Sequence, residues 1–122
     1  MGKIFIFVNK QFENSYRLPT KDRNPMAKFG EIINVNKPVL IDFYSDWNEA
    51  ENSLDTLRDV AAALGTSAKV IKIDIKKNEI LADALRVKGN PTFMIYKDGE
   101  MKWRQTGHQE ATTLIDLVQQ YV

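Results

Sequence analysis

The sequence contains no cysteine. That excludes a disulfide, a thiolate nucleophile and a cysteine-bound metal in this chain. It also removes cysteine usage as a guide to redox compartment. There is one histidine, His108. A metal or acid–base site built on it would have to recruit Glu51 or Asp46, which is a weak set, so no metal and no cofactor are expected. An excess of one charge is missing too. Lys plus Arg number 17 and Asp plus Glu 16, a net charge of +1. That balance gives no reason to expect nucleic acid or an anionic membrane as partner. No apolar run approaches the roughly 20 residues of a membrane span. The N-terminal run Ile4–Val8 is too short for a signal-peptide core, and no small-residue cleavage site follows it. Ile6 stands where a myristoylation motif wants Ser or Thr. A cytoplasmic location is the expectation.

What is present suits one folded domain over residues 1–122. The apolar fraction is 43% and the charged fraction 27%, both ordinary for a globular chain. Ile4–Val8 is a continuous β-branched and aromatic run, as in a strand covered on both faces. Residues 9–24 are polar and carry Pro19, which predicts a loop with at most a helical turn near Phe12–Tyr16. Pro25 suits a first helical turn, and Met26, Phe29, Ile32 and Ile33 follow at helical spacing. Val39–Tyr44 reads as a central strand. From Glu49, the residues Ala50, Leu54, Leu57, Ala61 and Leu64 form one buried helical stripe, and Gly65 fits its C′ position. Lys69–Ile75 is β-branched. A short helix carries Ile80, Leu81, Ala84 and Leu85. Thr92–Lys97 and Glu100–Thr106 flank Asp98-Gly99, a strong two-residue hairpin signal. Leu114, Ile115, Leu117, Val118 and Tyr121 mark a last helix.

The order is β-α-β-α-β-α-β-β-α. Two crossovers, a hairpin and a closing helix predict an α/β protein with a central mixed sheet and helices on both faces.

Two stretches stand out against this frame. Ile41-Asp42-Phe43-Tyr44 runs through Ser45-Asp46 into Trp47-Asn48-Glu49-Ala50-Glu51. Later, Gly89-Asn90-Pro91-Thr92-Phe93 opens a strand. Together they resemble the thioredoxin family: a strand, an active-site Trp, a four-residue motif at a helix start, and a proline opposite it. The resemblance covers Lys37 to Val122. Residues 1–36 form an atypical N-terminal strand, loop and helix. The family's motif is Cys-x-x-Cys, and those positions here read Asn48-Glu49-Ala50-Glu51.

Thiol–disulfide exchange needs one sulfur to attack and another to resolve. Asn48 and Glu51 supply neither. Asn is a good N-cap and Glu three residues on can reach back, so Asn48-x-x-Glu51 reads as a capping-box variant. The resemblance implies further roles. Asp42 matches the family's buried carboxylate beneath the motif and Lys72 its lysine neighbour, a buried ion pair. Pro91 matches the cis-proline, and Asn90 the residue whose backbone pairs with an extended peptide. Trp47 offers an apolar face beside it, and Gly107 matches the loop glycine flanking the groove. Thr56 stands where the family often has a helix-kinking proline, so a straighter helix is expected.

The expected function is therefore binding, without redox chemistry. An extended segment of a partner protein would lie along Trp47, Asn90, Pro91 and Gly107, and the acidic residues Asp46, Glu49, Glu51 and Asp55 would favour a basic segment. Two alternatives stand beside it. One is an oxidoreductase whose cysteines were replaced for study. The other is an enzyme using Glu51 and Asp42 as acid and base.

Overall fold

The computed structural model describes the backbone of residues 3–8, 11–17, 25–45, 47–88 and 91–122, and the side chains of 26–45, 54–88 and 91–122. The strands are β1 (Lys3–Val8), β2 (Gln11–Arg17), β3 (Val39–Tyr44), β4 (Lys69–Asp74), β5 (Thr92–Lys97) and β6 (Glu100–Thr106). The helices are α1 (Pro25–Ile33), α2 (Trp47–Leu64), α3 (Glu79–Ala84) and α4 (Ala111–Gln119). All the strands join one sheet in the order β2-β1-β4-β3-β5-β6.

Strand alternation sorts the core onto two faces. Ile41, Phe43, Ile71, Ile73, Met94 and Tyr96 cluster with Phe29, Ile32 and Ile33 of α1 and Leu81 of α3. Their neighbours Leu40, Val70, Phe93 and Ile95 cluster with Leu57, Val60, Ala61 and Leu64 of α2 and Leu114 and Val118 of α4. Strand β3 is buried along its whole length, as a central strand flanked on both faces must be. The mixed sheet with helices on both faces is the α/β class expected from the sequence.

One stretch departs from expectation. Residues 11–17 form a strand, not a loop with a helical turn. β2 pairs antiparallel with β1, and β1 pairs antiparallel with β4. Since β4 runs parallel to β3, β2 runs in the same sense as both. The crossover through α1 into β3 therefore leaves from β2, because a βα crossover joins parallel strands.

The Asp98-Gly99 turn behaves as its residue types demand. Asp98 has φ of 54° and Gly99 of 81°, the paired positive values of a type I′ hairpin. The same turn ties the sheet to α1: the Asp98 and Gly99 amides donate to the carbonyls of Val35 and Ile33 at 3.1 Å each. Helix α2 runs unbroken over 18 residues through Thr56. Among the described residues no helix is long and apolar enough to cross a membrane.

Candidate functional site

The site is assembled at one end of the sheet. β3 ends at Tyr44, and α2 begins at Trp47. β5 lies antiparallel beside β3 with Phe43 opposite Thr92, so the chain leaving β3 and the chain entering β5 meet at the same end. Pro91, just before β5, is buried. Beyond it, β6 returns with Thr106 opposite Thr92. The Gly107 amide donates to the Pro91 carbonyl at 2.8 Å. The two threonine hydroxyls lie 3.3 Å apart. Gly107 has φ of +106°, a conformation open to glycine and strained for other residues. Pro91, Gly107 and the start of α2 thus share one end of the sheet. Asn90, and the side chains of Trp47, Asn48, Glu49, Ala50 and Glu51, lie outside the described residues.

The start of α2 corrects the reading of its cap. Trp47 is already helical, so Asn48 stands inside the first turn and Glu51 beyond the N3 position. The position before Trp47 lies outside the described residues. Its sequence supplies a reason for the shift: Asp caps as well as Asn, and Asp46-x-x-Glu49 has capping-box spacing. Asp46→Ala is expected to cost about 1 kcal/mol in urea denaturation, and Asn48→Ala less. The reverse order would return the cap to Asn48.

Beneath α2 sit two charges. By alternation Asp42 and Lys72 face the same side as Leu40 and Val70, the side of α2 and α4. They are neighbours in the parallel register of β3 and β4. Lys72 Nζ lies 3.2 Å from Asp42 Oδ2, with side-chain exposures of 4% and 0%. The ammonium also stands 4.5 Å from the centre of the Tyr44 ring, within cation–π range. Pairing of this kind is what permits two charges inside a sheet.

Tyr44 was not among the residues singled out from sequence, although its position two residues after Asp42 puts it on the same face. Its hydroxyl pKa is pushed up to about 12, first by burial, then by the carboxylates of Asp74 and Asp42. The unfolded phenol titrates near 10. Tyr44 therefore stabilises the fold below about pH 10, and that contribution is lost as pH rises through about 12. Stability is expected to fall across this interval by on the order of 2 kcal/mol, with Tyr96, also raised by burial, acting in the same sense. Chemical denaturation at several alkaline pH values should show a shallower fall for Tyr44→Phe.

His108 stands just past Gly107. Its Nε2 is 3.6 Å from Glu110 Oε1, and both side chains are well exposed, at 64% and 79%. Among the described residues no group of three or more His, Asp or Glu side chains is placed to hold a metal ion.

Comparison with known proteins settles the lineage. A family model for thioredoxin matches residues 21–120. The chain belongs to the thioredoxin family. The match begins after the β1–β2 hairpin, so the family's part of the sheet here is β4-β3-β5-β6, and the hairpin extends it. A thioredoxin-like protein from Synechocystis is 31% identical over 102 residues, covering 82% of this chain and 97% of that protein. Chloroplastic thioredoxin Y from rice is 31% identical over 99 residues, covering 80% of this chain and 59% of the rice protein. The match to chloroplastic thioredoxin Y1 of Arabidopsis spans 52% of that protein, so this chain accounts for little more than half the length of these plant relatives. Among solved structures, a mutant thioredoxin from Halobacterium salinarum superposes with a TM-score of 0.69 at 33% identity, covering 78% of this chain and 83% of that one. Fasciola hepatica thioredoxin gives a TM-score of 0.70 at 24% identity, over 80% of this chain and 94% of that one, which speaks for the fold. This thioredoxin-family chain has a buried Asp42–Lys72 pair and no cysteine for thiol–disulfide exchange.

Proposed function

We propose that this protein is a redox-inactive thioredoxin-like binding module, holding an extended segment of a partner protein along Trp47, Asn90, Pro91 and Gly107. The observation that supports the reading is the bond from the Gly107 amide to the Pro91 carbonyl, at the end of the sheet where α2 also begins, in a chain without cysteine. Open α/β sheets collect ligands at such strand ends. An extended segment can pair with exposed backbone there while an aromatic face supplies apolar contact. The acidic residues Asp46, Glu49, Glu51 and Asp55 favour a basic segment.

The carboxylate-enzyme reading is disfavoured by the burial of Asp42, which has no exposed surface with which to meet a substrate. The cysteine-substituted reading is decided by the unmodified gene. Three of the relatives are named chloroplastic, so an organelle is the alternative to the cytoplasmic expectation. Imaging a fluorescent fusion of the whole gene product separates them.

The test of binding is affinity capture from the native cell, with the captured partner then titrated in pure form. Trp47→Ala is expected to weaken that partner at least fivefold while changing stability far less than Leu57→Ala. Leu57 is fully buried, and its truncation should cost about 2–5 kcal/mol. Amide shifts on titration should cluster around Trp47 and Pro91. Clustering on α4 instead would overturn the groove. The parent chain should leave the dithiothreitol reduction of insulin at its blank rate.

A further inference from the structure

We infer that Arg104 is a positioning residue of the candidate site: reaching from β6, it holds the chain at Leu85 and Arg86 while Gly107, just past β6, holds it at Pro91, so that one strand and its end fix both described flanks of the proline turn. The inference rests on the groove reading above for what the turn does, though not for how it is held.

The need for such a grip comes from α3. A helix end leaves its last carbonyls without intrahelical donors. Here α3 closes at Leu85 and the chain turns through Arg86, which has φ of +56°, a left-handed value uncommon outside glycine. The Arg86 amide donates to Asp83 at 3.1 Å and the Val87 amide to Ala82 at 2.9 Å. The carbonyls of Leu85 and Arg86 then point toward β6. Arg104 meets both: Nη1 donates to Leu85 O at 2.6 Å and Nη2 to Arg86 O at 2.7 Å. A planar guanidinium can span two adjacent carbonyls with its fixed fork, whereas an ammonium offers a single point of charge.

The second grip lies three residues on, just past the end of β6. Gly107 N–H holds Pro91 O at 2.8 Å, and the Thr106 and Thr92 hydroxyls face each other at 3.3 Å. β6 is thus bonded to the chain on both sides of the turn. It is an edge strand of the sheet, and its register with β5 shifts between Ile95 and Tyr96, just before Arg104 is set opposite Met94. A simple helix cap would matter to α3 alone. A brace that also sets the proline turn should matter to whatever binds there.

Amide hydrogen exchange on the unbound protein decides how the turn is held. In Arg104→Gln, the Val87 and Gly107 amides should exchange at least tenfold faster, with Ile41 and Ile71 in the central strands unchanged. Arg104→Lys should fall between. Peptide binding then reads the consequence. Extended decapeptides selected by display on the parent protein should bind Arg104→Gln at least fivefold more weakly, with partial recovery in Arg104→Lys. The inference is overturned by unchanged Val87 and Gly107 exchange. It is equally overturned if every amide accelerates together, which marks a residue of global stability, or if the turn loosens and peptide affinity holds. Should display yield no peptide on the parent, the groove reading fails and the exchange result alone decides the brace.

Discussion

Lys72→Met alone is expected to cost the fold about 3–5 kcal/mol, while Asp42→Val combined with Lys72→Met should be neutral or stabilising by about 1–4 kcal/mol. The contrast follows from where the pair sits. Both side chains are almost wholly removed from water, with Nζ and Oδ2 at 3.2 Å. Removing the lysine leaves a carboxylate in the sheet beneath α2. Its escape is to take up a proton, and at pH 7 that costs about 4 kcal/mol starting from an ordinary aspartate value near 3.9. The loss is therefore capped near that figure. Removing both charges leaves no ion to desolvate, and valine suits a central strand. Urea denaturation of the single and double variants forms a cycle that isolates the coupling. If the double variant is as damaged as the single, the pair contributes net stability and the argument from desolvation fails. In a chain with no cysteine to serve, a destabilising pair kept in place would point to a role in partner recognition or specificity of the fold.

Most of the sheet was legible because its strands obey simple patterns. Val39–Tyr44 is apolar but for Asp42, and Lys69–Asp74 carries the β-branched Val70, Ile71 and Ile73, and burial on both faces is what such strands predict. The Asp98-Gly99 turn was legible because positive φ at both positions admits few residue types. β2 was not legible. Gln11, Glu13, Asn14, Ser15 and Arg17 carry little strand propensity of their own, and an edge position asks for polar residues. Pairing with β1 makes it a strand, and pairing partners are not written in the local pattern. The start of α2 was misplaced because Asp46 and Asn48 are equally good caps on sequence grounds. In the site, an aspartate inside an apolar run signals burial but not its partner, so Lys72 came from resemblance. Arg104 was missed because its acceptors are backbone carbonyls, which every residue has.

Asn48→Cys combined with Glu51→Cys is expected to make this protein accelerate the dithiothreitol reduction of insulin, where the parent gives only the blank. α2 begins at Trp47, so positions 48 and 51 are three apart within its first turns. Residues so spaced on a helix have Cβ atoms roughly 5–6 Å apart, within reach of a disulfide after small adjustment. The helix N-terminus stabilises a thiolate there, and the thiolate is the attacking species. The Asp42–Lys72 pair already lies on the α2 face of the sheet. Activity should be weak, because Glu49 and Ala50 replace the glycine and proline that the resemblance places between the cysteines, and Glu49 adds an anion that opposes thiolate formation. Thiol titration of the oxidised variant should find no free thiol. Circular dichroism should match the parent. A folded variant that forms its disulfide yet leaves insulin untouched would mean that more than sulfur has been lost. It would also count against a groove able to admit an extended chain, since a substrate disulfide has to approach by that route.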